Sequence, residues 1–296
     1  MSAAPVTPAF GSRIAAAADR LGPLCVGIDP HPALLAAWGM TDDVDGLRRF
    51  ADTVTTALAG RVAAIKPQAA FFERHGSAGV AVLEEVVAAV RGTGTELVVD
   101  AKRGDIGSTM QAYADAYLRD GSPLAGDAVT VSPYLGFGSL EPAVRTASAT
   151  GRGLFVLALT SNPEGAAVQH ARTVGADGLA GPSVAGVVAA EAAALNAAEC
   201  AATGAALGSV GLVVGATVGG AVRELGIDLG AVRGPLLAPG VGAQGAGPAE
   251  LADVFGDARR AVVASVSRGV LSAGPDPAAL LGAARTAADE AGAALR

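Results

Sequence analysis

Eight short apolar runs, each followed by a stretch with helical spacing, leave this chain few folds to adopt. The runs are Leu24–Ile28, Val62–Ile65, Leu97–Val99, Ala128–Val131, Leu154–Leu159, Val210–Val214, Leu236–Ala238 and Ala261–Val266. Their residues are apolar in succession, not by alternation, as in strands buried on both faces. Between them, Val44, Leu47, Phe50, Ala51, Val54 and Leu58 fall on one helical face, and so do Val80, Leu83, Val86, Val87 and Val90. The Ala-rich stretches Val184–Ala206 and Pro277–Ala294 are built of strong helix formers. Repeated strand–helix alternation predicts a closed (β/α)8 barrel of the TIM type, one domain over residues 1–296. An open doubly wound sheet is the alternative. A further helix is predicted over Gly11–Leu21, ahead of the barrel.

No linker divides the chain, because Pro and Gly are scattered between the elements. Two connections stand out as candidate closing loops: Ser161–Pro182, which is long, and the Gly-rich Gly240–Gly247. The net charge of −7 comes without a Lys/Arg block, which argues against nucleic acid or an anionic membrane as the main partner. The start of the chain lacks the basic-then-apolar pattern of a secretory signal, and no uninterrupted apolar stretch reads as a membrane span. Cys25 and Cys200 lie far apart and form no disulfide or metal pattern. A reducing cytosol is therefore the expected setting.

Lysine usage narrows the search for chemistry. Of the 21 basic residues, all are arginine except Lys66 and Lys102. A lysine kept in such a chain points to a need for a compact charge or a transferable proton, which arginine does not supply. In a barrel, function sits at the C-terminal ends of the strands. Those ends carry Asp29, Lys66, Asp100 with Lys102 and Asp105, Ser161, the Gly240–Gln244 loop and Arg268. Both lysines are in this set. Asp100 and Lys102 are two apart, so on an extended strand they point the same way. An ammonium flanked by Asp100 and Asp105 keeps its charge and can donate a proton. His31, His75 and His170 show no metal spacing and are read as surface or packing residues.

The run DAKRGDIGST, with Asp100, Lys102, Asp105 and Thr109 in the pattern D-x-K-x-x-D-I-x-x-T, resembles the signature of the orotidine 5′-monophosphate decarboxylases. KPQAAFFE from Lys66 to Glu73 resembles the bacterial subgroup with longer chains. LTSNP around Ser161, APGVGAQG around Gln244 and SRG around Arg268 follow in the family's order. The resemblance runs from about Gly22 to Ser272. It implies decarboxylation of orotidine 5′-monophosphate to UMP, the last step of de novo pyrimidine nucleotide synthesis, without metal or cofactor. It also implies roles. Asp29 and Lys66 would bond the ribose hydroxyls, with Lys66 also bonding Asp100. Lys102 would protonate C6 of the pyrimidine, while Asp100 crowds the substrate carboxylate and holds Lys102. Asp105 and Thr109 would reach into the neighbouring subunit's site, making the active unit a homodimer. Ser161 would bond the pyrimidine amide edge. Gln244, Arg268 and the backbone N–H of Gly269 would grip the 5′-phosphate.

Each residue has a plainer reading. The Asp–Lys pair can be a structural salt bridge, Asp29 a turn former before Pro30, Ser161 a cap, Gln244 a solvated loop residue and Arg268 a surface arginine. Two other functions also stay open. A D-x-K-x-x-D strand occurs in Mg²⁺-dependent sugar-phosphate decarboxylases and synthases of related barrels. A non-catalytic nucleotide-binding barrel is the second.

Overall fold

The computed structural model describes residues 8–175, 178–241 and 245–295. Its strands are β1 Leu24–Ile28, β2 Ala64–Pro67, β3 Glu96–Arg103, β4 Ala128–Val131, β5 Gly153–Leu159, β6 Arg172–Val174, β7 Ala180–Ser183, β8 Val210–Val214, β9 Leu236–Pro239 and β10 Val262–Val266. Eight of them close a barrel in the order β1-β2-β3-β4-β5-β8-β9-β10, with β10 pairing back onto β1. Every pair in the barrel is parallel. The open-sheet alternative is thereby excluded.

Successive apolar residues arise because each strand faces two cores. Cys25, Ala64, Val98, Ala128, Phe155, Val213, Leu237 and Val263 pack inside the barrel. Their neighbours, such as Val26, Ile65, Leu97, Val129, Leu154 and Leu212, pack outward against the helical ring. The predicted early helix is present as Phe10–Leu21. It plugs the barrel floor, since Phe10 and Ile14 belong to the interior cluster. Phe10 meets Phe155 edge-on, with ring centroids 5.8 Å apart. Gly153 makes room for it, because a Cβ there would lie 2.0 Å from the Phe10 ring. Arg13 of the same helix bonds Asp127 at 2.9 Å, both Glu96 oxygens at 3.2 Å and the Gly151 carbonyl at 2.7 Å. The helix is thus tied to the starts of β3, β4 and β5.

Two features add to the sequence reading. The connection Ser161–Pro182 is not free of secondary structure. It contains the short helix Ala166–Gln169, and its β6 pairs antiparallel with β7. The Gln169 side chain anchors it by accepting from Thr160 N (2.8 Å) and donating to Thr160 Oγ1 (2.7 Å). Second, helix Val184–Thr203 is long and apolar enough to cross a membrane by length and composition. It packs against β5 and β8, and its buried Asn196 donates to the carbonyls of Val210 and Val232 at 2.8 Å each. A buried, fully bonded Asn facing the sheet explains the helix as part of the barrel's outer ring.

Candidate active site

The barrel's C-terminal mouth gathers most of the expected residues, and the end of β3 is its centre. Asp100 is buried, at 6% exposure. Its carboxylate accepts from Lys66 Nζ at 2.8 Å through Oδ2, and from Lys102 Nζ at 2.6 Å through Oδ1. Thr130 Oγ1, from β4, donates to the same Oδ1 at 2.8 Å. One carboxylate therefore joins both of the chain's lysines.

The reason these groups meet differs from the expected one. Asp100 and Lys102 do not lie on a regular extended strand. Between Val99 and Arg103, β3 takes four steps while its partner β4 takes two, from Val129 to Val131. Lys102 sits within this bulge at φ +47°, in the left-handed region. Such a backbone is rare for a residue with a Cβ and costs about 1–2 kcal/mol. Bulges of this kind re-aim side chains beside active sites. The Lys102 N–H finds its acceptor in Thr130 Oγ1 at 2.9 Å. Thr130 is a site residue that the strand reading passed over; the one hydroxyl in the apolar run AVTV, near a strand's C-terminal end, was the available signal.

The two lysines occupy opposite environments. The Lys66 side chain is 9% exposed and that of Lys102 is 44% exposed. Burial disfavours the Lys66 ammonium, but the carboxylates of Asp100 and Asp29 outweigh it and hold Lys66 above its ordinary range. Asp100 shows the mirror balance. Burial pushes its carboxyl up, Lys66 and Lys102 pull it down further, and it settles at about 2. At neutral pH the site thus holds an ionised carboxylate bonded to one buried ammonium and one accessible ammonium. Below them, burial pushes the Cys25 thiol up to about 12, against the pull of Lys66. Cys25 therefore stays a neutral packing group.

The remaining expected residues fall into three groups. Asp29, at the end of β1, has a buried Oδ1 without a hydrogen-bond partner, an acceptor well suited to a ligand hydroxyl. Asp105 does not flank Lys102 in this chain as the spacing suggested; its Oδ1 accepts from Ile106 N at 2.8 Å. Thr109 is exposed one helical turn later, and Ile106 beside it is 61% exposed. β3 ends at Arg103, so Asp105 lies beyond the strand. Ser161, Arg268 and Gly269 are all exposed; Ser161 packs beside Gly215 at the end of β8, and Arg268 opens the short helix after β10. Gln244 lies outside the described residues. Next to the lysines, Arg103 pairs with Glu73, donates to the Tyr117 hydroxyl at 3.2 Å and lies over the rings of Tyr113 and Tyr117. Among the described residues, no group of three or more His, Cys, Asp or Glu is placed to hold a metal ion.

A family model described as the orotidine 5′-phosphate decarboxylase / HUMPS family matches residues 22–283. The chain belongs to this family. Within the family, the orotidine 5′-phosphate decarboxylase of Salinispora arenicola is 60% identical over 275 residues, covering 93% of this chain and 94% of the relative. That of Streptomyces coelicolor is 58% identical over 285 residues, covering 95% and 94%. A crystal structure assigned as orotidine 5′-phosphate decarboxylase from Streptomyces avermitilis matches with a TM-score of 0.90 at 58% identity, over 100% of this chain and 98% of that one. The Leishmania donovani OMP decarboxylase matches at 0.72 and 31% identity, over 97% and 99%. The family match spans all eight barrel strands, so the site built on β1, β2, β3 and β4 lies wholly within it.

Proposed function

We propose that this protein decarboxylates orotidine 5′-monophosphate to UMP, the closing step of de novo pyrimidine nucleotide synthesis, by electrostatic catalysis at the Lys66–Asp100–Lys102 array. The carrying observation is that array: a buried carboxylate fixes one accessible ammonium at the barrel mouth. Loss of CO₂ breaks the bond between C6 and the carboxyl carbon and leaves the electron pair on C6. A fixed positive charge at that point stabilises the carbanion as it forms, with no reorganisation at the moment of reaction. Lys102 then gives its proton to C6 and is recharged from water. Asp100, held at about 2, is ionised and has no proton to give. It crowds the substrate carboxylate and keeps Lys102 aligned.

Asp29 and Lys66 take the ribose hydroxyls in this reading, Ser161 the amide edge of the base, and Gln244, Arg268 and the Gly269 N–H the 5′-phosphate. The remote phosphate contributes binding energy that orders the site without touching the reacting carbon. The active unit is a homodimer in which Asp105 and Thr109 serve the neighbouring site. Exposed Ile106, Tyr134 and Leu135, at 61%, 76% and 54%, supply apolar surface near these residues for such a contact. Both cysteines are free and buried, which suits a cytoplasmic protein.

The test is turnover of orotidine 5′-monophosphate, followed by the ultraviolet change on loss of the carboxylate. Wild-type protein should turn over after exhaustive EDTA treatment. Lys102→Ala should lose kcat while still binding UMP. Activity lost to EDTA and restored by Mg²⁺ would move the chain to the sugar-phosphate branch. Binding without turnover would leave a nucleotide-binding barrel.

A further inference from the structure

We propose that Thr130 is a positioning residue for Lys102, one hydroxyl that holds the lysine's backbone and its carboxylate partner in register. The inference rests on the role given to Lys102 above. Thr130 is 1% exposed, on β4 opposite the bulge in β3. A threonine hydroxyl has one hydrogen to donate and lone pairs to accept. Here both functions are used. Oγ1 accepts from Lys102 N at 2.9 Å and donates to Asp100 Oδ1 at 2.8 Å. That same oxygen takes Lys102 Nζ at 2.6 Å.

These contacts form a closed ring from the Lys102 amide, through Thr130 and Asp100, back to the Lys102 ammonium. The direction of every bond in the ring is fixed. A backbone N–H can only donate, an ionised carboxylate can only accept and an ammonium can only donate. The hydroxyl therefore has one orientation that satisfies both neighbours. The ring also accounts for the left-handed backbone at Lys102, whose φ is +47°. That turn re-aims the side chain, and the Thr130 acceptor replaces the ladder bond that the bulge removes. Without the hydroxyl, the Lys102 N–H loses its acceptor and Asp100 loses the donor that sets its rotation. The ammonium then keeps its charge but loses its fixed place.

Two substitutions separate positioning from packing. Thr130→Val keeps the shape and β-branching and removes the hydroxyl. Thr130→Ser keeps the hydroxyl and removes the methyl. The expected result for T130V is a fall in kcat on the order of 100-fold, the size of loss that follows displacement of a reacting group by about 1 Å. KM and UMP affinity should change little, because Thr130 bonds Asp100 and Lys102, which act at the reacting carbon, and none of the groups proposed to hold the amide edge or the phosphate. T130S should recover most of kcat. A packing role gives the opposite order, with T130V the milder change. Amide hydrogen exchange at Lys102 supplies a readout independent of turnover: it should speed up in T130V and stay near wild type in T130S. If T130V does not fold, T130A carries the same comparison. A T130V kcat near wild type, a T130S loss as large as that of T130V, or unchanged Lys102 exchange in T130V each overturns the assignment. These outcomes leave the proposed function standing when wild type turns over and K102A does not. Failure of wild type to turn over the substrate overturns both readings.

Discussion

Replacing Asp100 by Asn tests the central array through stability, independently of turnover. Three donors converge on this carboxylate: Lys66 Nζ, Lys102 Nζ and Thr130 Oγ1. Asparagine offers one acceptor oxygen and an NH₂ group that must face one of those donors. Lys102 can swing into water, since its side chain is 44% exposed. Lys66 cannot, with its side chain 9% exposed. The cost therefore falls on Lys66, and leaving a buried charge unpaired costs about 3–5 kcal/mol. Asp29 remains nearby and lowers the expectation to the bottom of that range, about 3 kcal/mol at pH 7. Urea denaturation with an unchanged m-value reads this directly. The pH dependence supplies a second arm. In wild type the Lys66 pKa is raised, so its contribution is complete below the ordinary value of 10.5 and fades only above it. In D100N, burial is no longer outweighed and the folded-state pKa of Lys66 drops below that value. The folded state then favours the neutral amine, so the D100N deficit should shrink as pH rises toward 10. The double variant K66M/D100N should recover much of the loss, because no buried charge remains. A deficit under about 1 kcal/mol at pH 7, or one that grows toward pH 10, would refute the reasoning.

Three further outcomes follow from other parts of the chain. Arg268→Ala should lower kcat/KM for orotidine 5′-monophosphate by about 2–5 kcal/mol if the phosphate contact is desolvated, yet leave the nucleoside orotidine almost unaffected; equal losses for both substrates would withdraw the phosphate assignment. Mixing inactive K102A with inactive D105A subunits should restore partial turnover, since one hybrid site then holds both intact residues; no recovery after verified exchange would mean that each site is built from one chain. At the barrel floor, burial and the neighbouring Asp127 raise Glu96 to about 7 despite its pairing with Arg13. The folded state therefore holds a proton that the unfolded chain releases near 4.5, and stability should fall as pH rises from about 5 to 7. Glu96→Gln should flatten that slope, measured by denaturation at several pH values; an unchanged slope would place the titration elsewhere.

The barrel was legible because its physics repeats. Each strand is buried on two faces, so β1, β4 and β8 match the apolar runs residue for residue. The ends of β2 and β3 run past the apolar residues, to Pro67 and Arg103, because the candidate site residues Lys66, Asp100 and Lys102 are themselves part of the strands. Polarity hid them from a reading of hydrophobic runs. The lysine bias pointed to the candidate site at the barrel mouth, and the D-x-K-x-x-D-I-x-x-T pattern to the family. Local geometry was not legible. Residue spacing assumes a regular pleat, whereas β3 inserts two extra residues against β4 and turns left-handed at Lys102. That deviation is bonded to Thr130, which is 30 positions from Asp100 and marked in the sequence only by its hydroxyl in an otherwise apolar run. The hairpin of β6 and β7 was missed for a related reason. Its strands are three and four residues long and carry no buried apolar face to announce them.

The same local irregularity explains why two lysines are needed where one would hold a salt bridge. A single lysine paired to Asp100 would share its position and its proton with the carboxylate, and moving toward the substrate would strip a buried anion of its partner. Lys66 removes that conflict. It is buried, held charged by Asp100 and Asp29, and satisfies Oδ2 permanently. Thr130 holds Oδ1 from the other side. In the proposed reaction, Asp100 thus stays ionised and fixed while the more exposed Lys102 gives up its proton to the substrate. During that step the carboxylate still has one ammonium and one hydroxyl bonded to it, so the loss of the Lys102 charge does not leave a buried anion alone. The supporting members lie on β2, β3 and β4, whose pairing sets their spacing, and the proposed proton donor sits on the residue of the bulge whose backbone is left-handed. On the proposed function, a site that must be fixed against its own charges and still release a proton is built by dividing the two tasks between Lys66 and Lys102.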